Sequence, residues 1–213
     1  IKGYSTKAKG LSDLLPYAAL IDPGIVLNKD CSLMAAWEFR GLDTASSTME
    51  DLDQVVFHFN HATLETGTGL MLHVDAVRKP VGNYPAAHLS YFPVAITRMM
   101  EDERREFFQR SRRCFQTNPI LKVTYKVEDE IKSNNFNKYL ADFKEKLEKL
   151  ETVLGVLPGF VMERLLEYEV ENEHGRKQLY SPLLSHLQQC ITGDLHPIMV
   201  PDNPMYLDAI LGG

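Results

Sequence analysis

The chain has little cysteine and no long apolar run. Its three cysteines, Cys31, Cys114 and Cys190, lie far apart without CxxC or Cys/His ligand spacing, so we expect neither a disulfide framework nor a zinc site. Sparse cysteine of this kind is typical of a reducing compartment. No apolar run approaches the roughly 18 residues of a membrane-spanning helix. The polar first ten residues also lack the apolar segment of a signal peptide.

The sequence also lacks the motifs of several enzyme classes. It contains no GxxxxGK[ST] phosphate loop, no GxSxG nucleophile elbow and no HExxH zinc motif. Gly67 and Gly69 stand close together, but no phosphate-binding lysine accompanies them and they follow a predicted helix. We therefore interpret them as a helix stop. We predict no catalytic, cofactor-binding or metal-binding residue in this chain.

Basic residues are outnumbered by acidic ones. Lys and Arg total 23 against 29 Asp and Glu, which gives a net charge of −6. A protein that binds nucleic acid over its whole surface needs clustered Lys and Arg to neutralise phosphates, so this balance argues against that class. The hydrophobic fraction of 44% and the charged fraction of 24% are those of a globular protein that buries a core.

A β-hairpin signal is present at residues 22–43. Apolar residues on both sides of a polar reversal at 28–31 predict two antiparallel strands. Upstream, the apolar segment 11–20 is broken at Pro16. We expect this segment to pack on the core, with a partner or a membrane surface as the alternatives.

Helices and strands alternate after the hairpin. The predicted elements are helices at 49–63, 98–114, 136–154, 161–173 and 183–191 and strands at 70–77 and 120–127. We place N-caps at Ser47, where Glu50 completes a capping box, and at Ser181. We place the C-cap of the longest helix at Gly155. The apolar seam of that helix favours core packing, with a partner helix as the alternative. After Thr192 we predict mostly loop.

This order of elements predicts an α+β fold. A hairpin comes first and helices dominate the C-terminal half, so we expect helices on one face of an antiparallel or mixed sheet. We predict one domain over residues 11–213, with an alternative boundary near residue 134. The chain begins with Ile1 and ends with two glycines, so we expect it to be a piece of a longer protein.

Six arginines fall within sixteen residues of the helix predicted at 98–114. They are Arg98, Arg104, Arg105, Arg110, Arg112 and Arg113. One interpretation is a patch that binds an acidic protein, phospholipid headgroups or nucleic acid. The other is a solvated face, because acidic residues at 101–103 and 106 are interleaved and pair at helical spacing.

Three histidines support a different class of function. His58 and His61 lie three residues apart on the predicted 49–63 helix, and His73 lies on the next strand. Three imidazoles can hold a metal ion, so they carry the alternative prediction of a small ligand-binding or metal-binding enzyme domain. Against it, two of them flank the apolar face and the sequence shows no carboxylate partner.

The ordered motifs of the chain resemble a known family. The string PYAALIDPGIVLNKDCSL, followed by WEFRGLD, resembles the N-terminal region of the TrbE/CagE family of type IV secretion and conjugal-transfer ATPases. The segment 52–77, the Tyr84-Pro85 loop with the DERR run after it, and the tail PMYLDAILGG are similar to later parts of that region. The resemblance covers about residues 11–213.

This resemblance implies a function. It implies the N-terminal docking and assembly domain of an ATPase that powers pilus biogenesis and substrate transfer at the cytoplasmic face of the bacterial inner membrane. The implied partners are inner-membrane components of the secretion system, with self-association as a further expectation, and nucleic acid is not expected. ATP and Mg²⁺ are implied for a C-terminal RecA-like domain, so this chain is not expected to be catalytic alone.

One residue departs from the family pattern. Similar sequences have glycine where this chain has Cys31, at the tip of the hairpin. Glycine is favoured where φ must be positive. We therefore expect either a strained backbone at Cys31 or a longer type of turn.

Overall fold

The structure, a computed structural model, describes most of the chain. The described residues are 10–43, 45–80, 84–111, 115–127, 135–157, 159–171, 175–200 and 206–212. The elements in chain order are α1 (Leu11–Leu14), β1 (Tyr17–Asp22), β2 (Ile25–Asn28), β3 (Leu33–Arg40), α2 (Met49–Glu65), β4 (Leu70–Pro80), a 3-10 turn (Ala87–Leu89), α3 (Ala95–Ser111), β5 (Phe115–Tyr125), α4 (Phe136–Gly155), β6 (Val161–Arg164), β7 (Tyr168–Glu171), β8 (Lys177–Tyr180), α5 (Pro182–Thr192) and α6 (Leu207–Gly212). The predicted α+β class is confirmed.

Strand β3 is bonded along both of its edges. The larger sheet has the order β1-β2-β3-β5-β4, and β6 pairs with β3 beside this path. The partners of β3 all run antiparallel to it. β5 occupies one edge from Leu33 to Glu38, so β2 and β6 must share the other edge in succession. β7 and β8 form a separate two-stranded sheet.

The hairpin predicted at 22–43 is confirmed. β2 and β3 pair across a tip in which the Asn28 N–H donates to the Ser32 carbonyl at 2.8 Å and the Cys31 N–H donates to the Asn28 carbonyl at 3.0 Å. Cys31 has φ of 66°, a value that no other described non-glycine residue approaches. The left-handed backbone expected at this position is therefore present, and a cysteine adopts it.

Two hydrophobic clusters lie on opposite faces of the sheet. Leu33, Ala35 and Trp37 of β3 enter one cluster with α2 and α4, whereas Met34 and Ala36 enter the other with α5 and α6. Helices therefore cover both faces, and the prediction of a single covered face was wrong. The continuous apolar run of β3 is the signal for burial on both sides, since a half-buried strand would alternate with polar residues.

The segment after α4 also differs from the prediction. A helix was predicted at 161–173, but the structure has strands β6 and β7 there, and β8 follows. Val161–Arg164 pairs with residues 37–40 of β3. A free strand edge therefore decides the conformation of a short segment whose own preference is weak. Gly175, which lies between β7 and β8, has φ of 70°.

Three further element boundaries differ. β5 begins at Phe115, five residues before the predicted strand, so Asn118 and Pro119 lie inside β5. The β3 register begins at Ile120, so the missing N–H of Pro119 removes no bond to β3. The apolar segment 11–20 contains α1 and the start of β1, and the tail predicted as loop contains α6.

The N-cap of α2 is Thr48, one residue after the predicted Ser47. The Thr48 hydroxyl accepts from the Asp51 N–H at 3.2 Å, and the Asp51 carboxylate accepts from the Thr48 N–H at 2.9 Å, which completes a capping box. The Ser47 hydroxyl instead donates to the Asp43 carbonyl at 2.7 Å. Local turn bonding therefore removes Ser47 from the cap.

Of the other two predicted caps, the one at Gly155 was wrong and the one at Ser181 is confirmed. Gly155 is the last residue of α4, and Val156 is its C-cap. Ser181 caps α5 as predicted, because its hydroxyl accepts from the Leu184 N–H at 3.4 Å and Pro182 occupies the first turn. Proline is well suited to that position because its missing N–H would have no partner within the helix.

The contacts divide the chain into two units. One comprises residues 1–74 and 120–213, and the other comprises Asp75–Pro119. The chain leaves the first unit within β4 and returns within β5. The alternative boundary near residue 134 falls outside the described residues and stays a prediction. Within the described residues, no helix combines the length and apolarity needed to cross a membrane.

Candidate interaction surface

Helix α3 turns its apolar side chains to solvent. Ile96, Met99, Met100 and Phe107 are 66%, 68%, 56% and 65% exposed. Steps of three, four and seven residues place them on one face of the helix. They line a shallow open depression together with Glu103 and Arg104. We call these four apolar residues the α3 stripe.

The opposite face of α3 packs on the loop before it. Phe108 packs against Tyr84 with ring centroids 5.1 Å apart. Arg105 donates from Nε to the Pro85 carbonyl at 3.2 Å, and its guanidinium pairs with Asp102 at 2.6 Å. The helix therefore directs Arg105 and Phe108 inward and its apolar stripe outward, the reverse of an ordinary surface helix.

Electrostatic contacts reinforce this inward face. A hydrogen bond from the Tyr84 hydroxyl to the Glu101 carboxylate raises the pKa of Tyr84, because the bond retains the phenolic proton. The Arg98 guanidinium donates to the Phe92 carbonyl at 3.3 Å. These bonds fix the orientation of α3 relative to its own loop and keep the α3 stripe directed outward.

The arginines of α3 have separate roles. Arg98 and Arg105 bond to backbone carbonyls of the loop. Arg110 pairs with Glu106 at 2.8 Å, and both side chains are largely exposed. Arg104 borders the α3 stripe. The predicted arginine patch is therefore divided between loop packing and solvated ion pairing, which favours the second of the two interpretations.

The last two predicted arginines, Arg112 and Arg113, lie outside the described residues. The nucleic-acid alternative rested on clustering of positive charge, and the arginines that the structure describes do not supply such a cluster.

The three histidines are not brought together. In the described part of the chain, the ring nitrogens of His58, His61 and His73 do not form a group within 4.8 Å. His58 and His61 instead lie against the ring of Phe57, with centroid distances of 5.7 and 6.3 Å. The metal-binding alternative required three neighbouring imidazoles, and the structure does not bring these three together.

Helix α2 has a second exposed apolar face. Its inward face contributes Val55, Phe59 and Ala62 to the core. The helical spacing of the sequence also predicts Met49 and Val56 on the core face, but both are more than half exposed. The inward stripe is Val55, Phe59 and Ala62, which follow one another at steps of four and three residues. The sequence contains both stripes, and the sheet buries only one.

A Cys–His pair on α5 was missed by the sequence analysis. The sulfur of Cys190 lies 3.6 Å from Nε2 of His186. The two residues are four apart, so one helical turn brings their side chains together. The HxxxC spacing was the available signal. The prediction of no zinc site did not take this spacing into account and stays a prediction.

Comparisons with known proteins match nearly the whole chain in overlapping segments. A model of the N-terminal domain of the type IV secretion system ATPase VirB4/TrbE matches residues 24–132. The conjugal transfer protein TrbE of Rhizobium radiobacter is 34% identical over 223 residues, which cover 98% of this chain and 27% of the relative. A probable conjugal transfer protein TrbE of Sinorhizobium fredii is 37% identical over 133 residues, covering 62% of this chain and 89% of that protein. The chain thus spans about a quarter of the length of the Rhizobium relative.

Proposed function

Because the chain belongs to the VirB4/TrbE family of type IV secretion ATPases, in which it corresponds to the N-terminal domain, we propose that it docks and assembles a conjugal-transfer motor. In this proposal the domain holds the motor on inner-membrane components of the secretion system, at the cytoplasmic face. Hydrolysis of ATP, which powers pilus biogenesis and substrate transfer, belongs to a separate C-terminal domain.

The observation that carries the proposal is the α3 stripe. Four large apolar side chains in one row leave water when a partner covers them, and burial of apolar surface contributes about 25 cal/mol per Å². Contiguous exposed apolar patches on soluble proteins often mark sites of association. The inward face of α3 is already occupied by Tyr84, so the helix does not need the stripe for its own packing.

The charges around the stripe indicate the chemistry of the partner. Glu103 and Arg104 lie among the apolar side chains of the stripe. A carboxylate buried without a partner is costly, so insertion of this face into lipid is unfavourable. A protein helix that offers apolar residues and a basic group opposite Glu103 satisfies both needs. We therefore propose a helix of an inner-membrane protein as the occupant.

The test is a double substitution in the α3 stripe of the full-length ATPase. Met100→Ser with Phe107→Ser removes the largest apolar contacts, and we expect co-purification with inner-membrane secretion components and conjugative transfer to fall by about tenfold or more. The fold should be unaffected, because both residues are mostly exposed.

The matched control changes exposed apolar residues on another helix. Met49→Ser with Leu64→Ser alters side chains of α2 that are at least as exposed, and we expect transfer to remain at the wild-type level. Wild-type transfer and co-purification by the stripe variant, at normal protein level, would exclude the α3 stripe as the docking surface.

A further inference from the structure

Helix α5 holds a histidine and a cysteine in fixed relation. His186 is 5% exposed, whereas Cys190 is open to solvent. The imidazole nitrogen Nε2 lies 3.6 Å from the cysteine sulfur. We propose that His186 and Cys190 are two ligands of a site for Zn²⁺ or a similar thiophilic metal ion. This inference concerns the first unit and is independent of the docking role of α3.

The separation of the two atoms matches the geometry of zinc. Zinc binds cysteine sulfur at about 2.3 Å and histidine nitrogen at about 2.0–2.1 Å, with tetrahedral angles of about 109°. Two ligands at those distances and that angle lie about 3.6 Å from each other. The observed sulfur–nitrogen distance therefore equals that of two ligands on one tetrahedral ion.

The two proposed ligands differ in burial, since His186 is packed in the core and Cys190 is exposed. His186 lies between the fully buried Leu183 and Leu187 on α5, so packing already limits the movement of its ring. Cys190 is open to solvent and gives an ion access to the pair. The chain therefore loses little conformational entropy when the ion binds, which is the usual benefit of a preorganised site.

The position at the end of the helix favours a cation. α5 ends at Thr192, and Gly193 is its left-handed C-cap with φ of 84°. The last turn of a helix carries partial negative charge from its unpaired carbonyls, which stabilises a positive ion there. Cys190 lies within that turn.

The binding chemistry is proton exchange without a redox step. A zinc ion replaces the thiol proton of Cys190, which is released to solvent, and takes the lone pair of the neutral imidazole of His186. Zinc has four ligands in most protein sites, and this pair supplies two of them. Because a proton is released, metal affinity should rise with pH.

The experiment isolates the Cys190 thiol in the whole chain. In a Cys31→Gly, Cys114→Ser background, Cys190 is the only cysteine, and titration with Cd²⁺ should produce the ultraviolet thiolate-to-metal absorption with one ion per chain. Zn²⁺ should displace the cadmium and abolish the band. Zn²⁺ should also slow alkylation of Cys190 by iodoacetamide, and a chelator should restore the rate.

Two variants decide the result. Cys190→Ser should abolish the absorption, and it should fold normally because Cys190 is exposed. His186→Gln should weaken binding at least as much as the roughly 10–100-fold loss typical of removing an outer-shell partner. Absence of the cadmium band in the Cys190-only chain, or equal affinity in a folded His186→Gln chain, would overturn the proposal. If His186→Gln fails to fold by circular dichroism, the band in the Cys190-only chain and its pH dependence decide alone.

Discussion

Helices α3 and α4 are 17 and 20 residues long and both have an apolar face, but they use that face in opposite ways. α4 buries Phe143, Leu147 and Leu150 against the sheet. α3 leaves its stripe in solvent. The comparison shows that periodicity identifies an apolar helix face but not what covers it. For α4 the cover is within the same chain, and for α3 we propose that it is another protein.

Polar anchors differ between the two helices in range. α4 is tied to strands far away in sequence, since the Trp37 indole N–H donates to Glu151 at 2.6 Å and the Lys144 ammonium donates to Asp22 at 2.6 Å. The inward bonds of α3, among the described residues, reach the loop directly before it. Long-range anchors make α4 part of one cooperative core, whereas α3 depends on local structure.

The largest expected effect separates the two helices directly. Phe143→Ala should reduce the free energy of unfolding by about 3–5 kcal/mol, because it removes a fully buried ring and leaves a cavity. Phe107→Ala should change it by no more than about 0.5 kcal/mol. Urea unfolding followed by the fluorescence of Trp37, the single tryptophan, and by circular dichroism measures both. Equal losses of unfolding free energy from the two substitutions would contradict the distinction between a buried face on α4 and an exposed face on α3.

A smaller effect tests α2, which has apolar residues on both faces. Thr48→Ala should destabilise the protein by about 1 kcal/mol, because it removes half of the capping box. Ser47→Ala is the matched control and should cost only a few tenths of that amount, since its hydroxyl bonds outside the cap. The same urea titration measures both. A larger loss of stability from Ser47→Ala than from Thr48→Ala would show that Ser47, as predicted from sequence, is the N-cap.

A gain of similar size is expected at the hairpin tip beside α4. Cys31→Gly should stabilise the protein by roughly 0.5–1 kcal/mol, because left-handed backbone costs a side-chain-bearing residue about 1–2 kcal/mol and glycine loses part of that gain in chain entropy. The Tyr139 hydroxyl of α4 donates to the Tyr125 carbonyl at 2.8 Å and lies 3.3 Å from the Cys31 carbonyl, so the tip adjoins the core and the gain should appear in the Trp37 transition. Destabilisation by glycine would show that the cysteine side chain itself is needed there.

The smallest effect is electrostatic and lies at the same tip. Burial raises the pKa of Asp30, but hydrogen bonds from Ser32 at 2.6 Å and from Lys126 at 2.9 Å outweigh it, so the pKa is lowered. The folded state therefore holds the Asp30 proton more weakly than the unfolded state. The resulting stabilisation is present above the unfolded pKa of about 3.9 and is lost as the pH falls below it through the lowered folded value.

Urea midpoints measured from about pH 5 down to pH 3 should show this loss. Asp30→Asn should flatten part of that dependence, with a small effect because the carboxylate is mostly exposed. An unchanged pH profile in the variant would mean that the tip contributes nothing measurable to acid sensitivity.

The sequence predicts best where local pattern and tertiary environment agree. The hairpin, the core helix α4 and the Ser181 cap of α5 all follow from turn chemistry and periodicity. Residues 161–164 were predicted as helix because their pairing partner, the second half of β3, lies more than a hundred residues earlier in sequence. No local pattern can show that an edge there is open.

The candidate surface was only partly predictable. The arginines of α3 drew attention because charge is easy to count, whereas the α3 stripe lies on the same helix and was not singled out. Met99 and Phe107 would be taken for core residues in most helices, but both are mostly exposed, and Tyr84 packs on the other face of the helix. The His186–Cys190 pair had a spacing signal, but its 3.6 Å separation depends on packing that the spacing does not show.

The arrangement of β4 and β5 has a consequence for how this family can change. The two strands are neighbours in the sheet, and residues 75–119 leave and rejoin the first unit through them. A segment whose two ends are adjacent can be lengthened, shortened or exchanged as a cassette while the sheet keeps its register. A chimera that exchanges residues 75–119 between relatives should therefore fold, and under the docking role proposed above it should carry the partner preference of its donor.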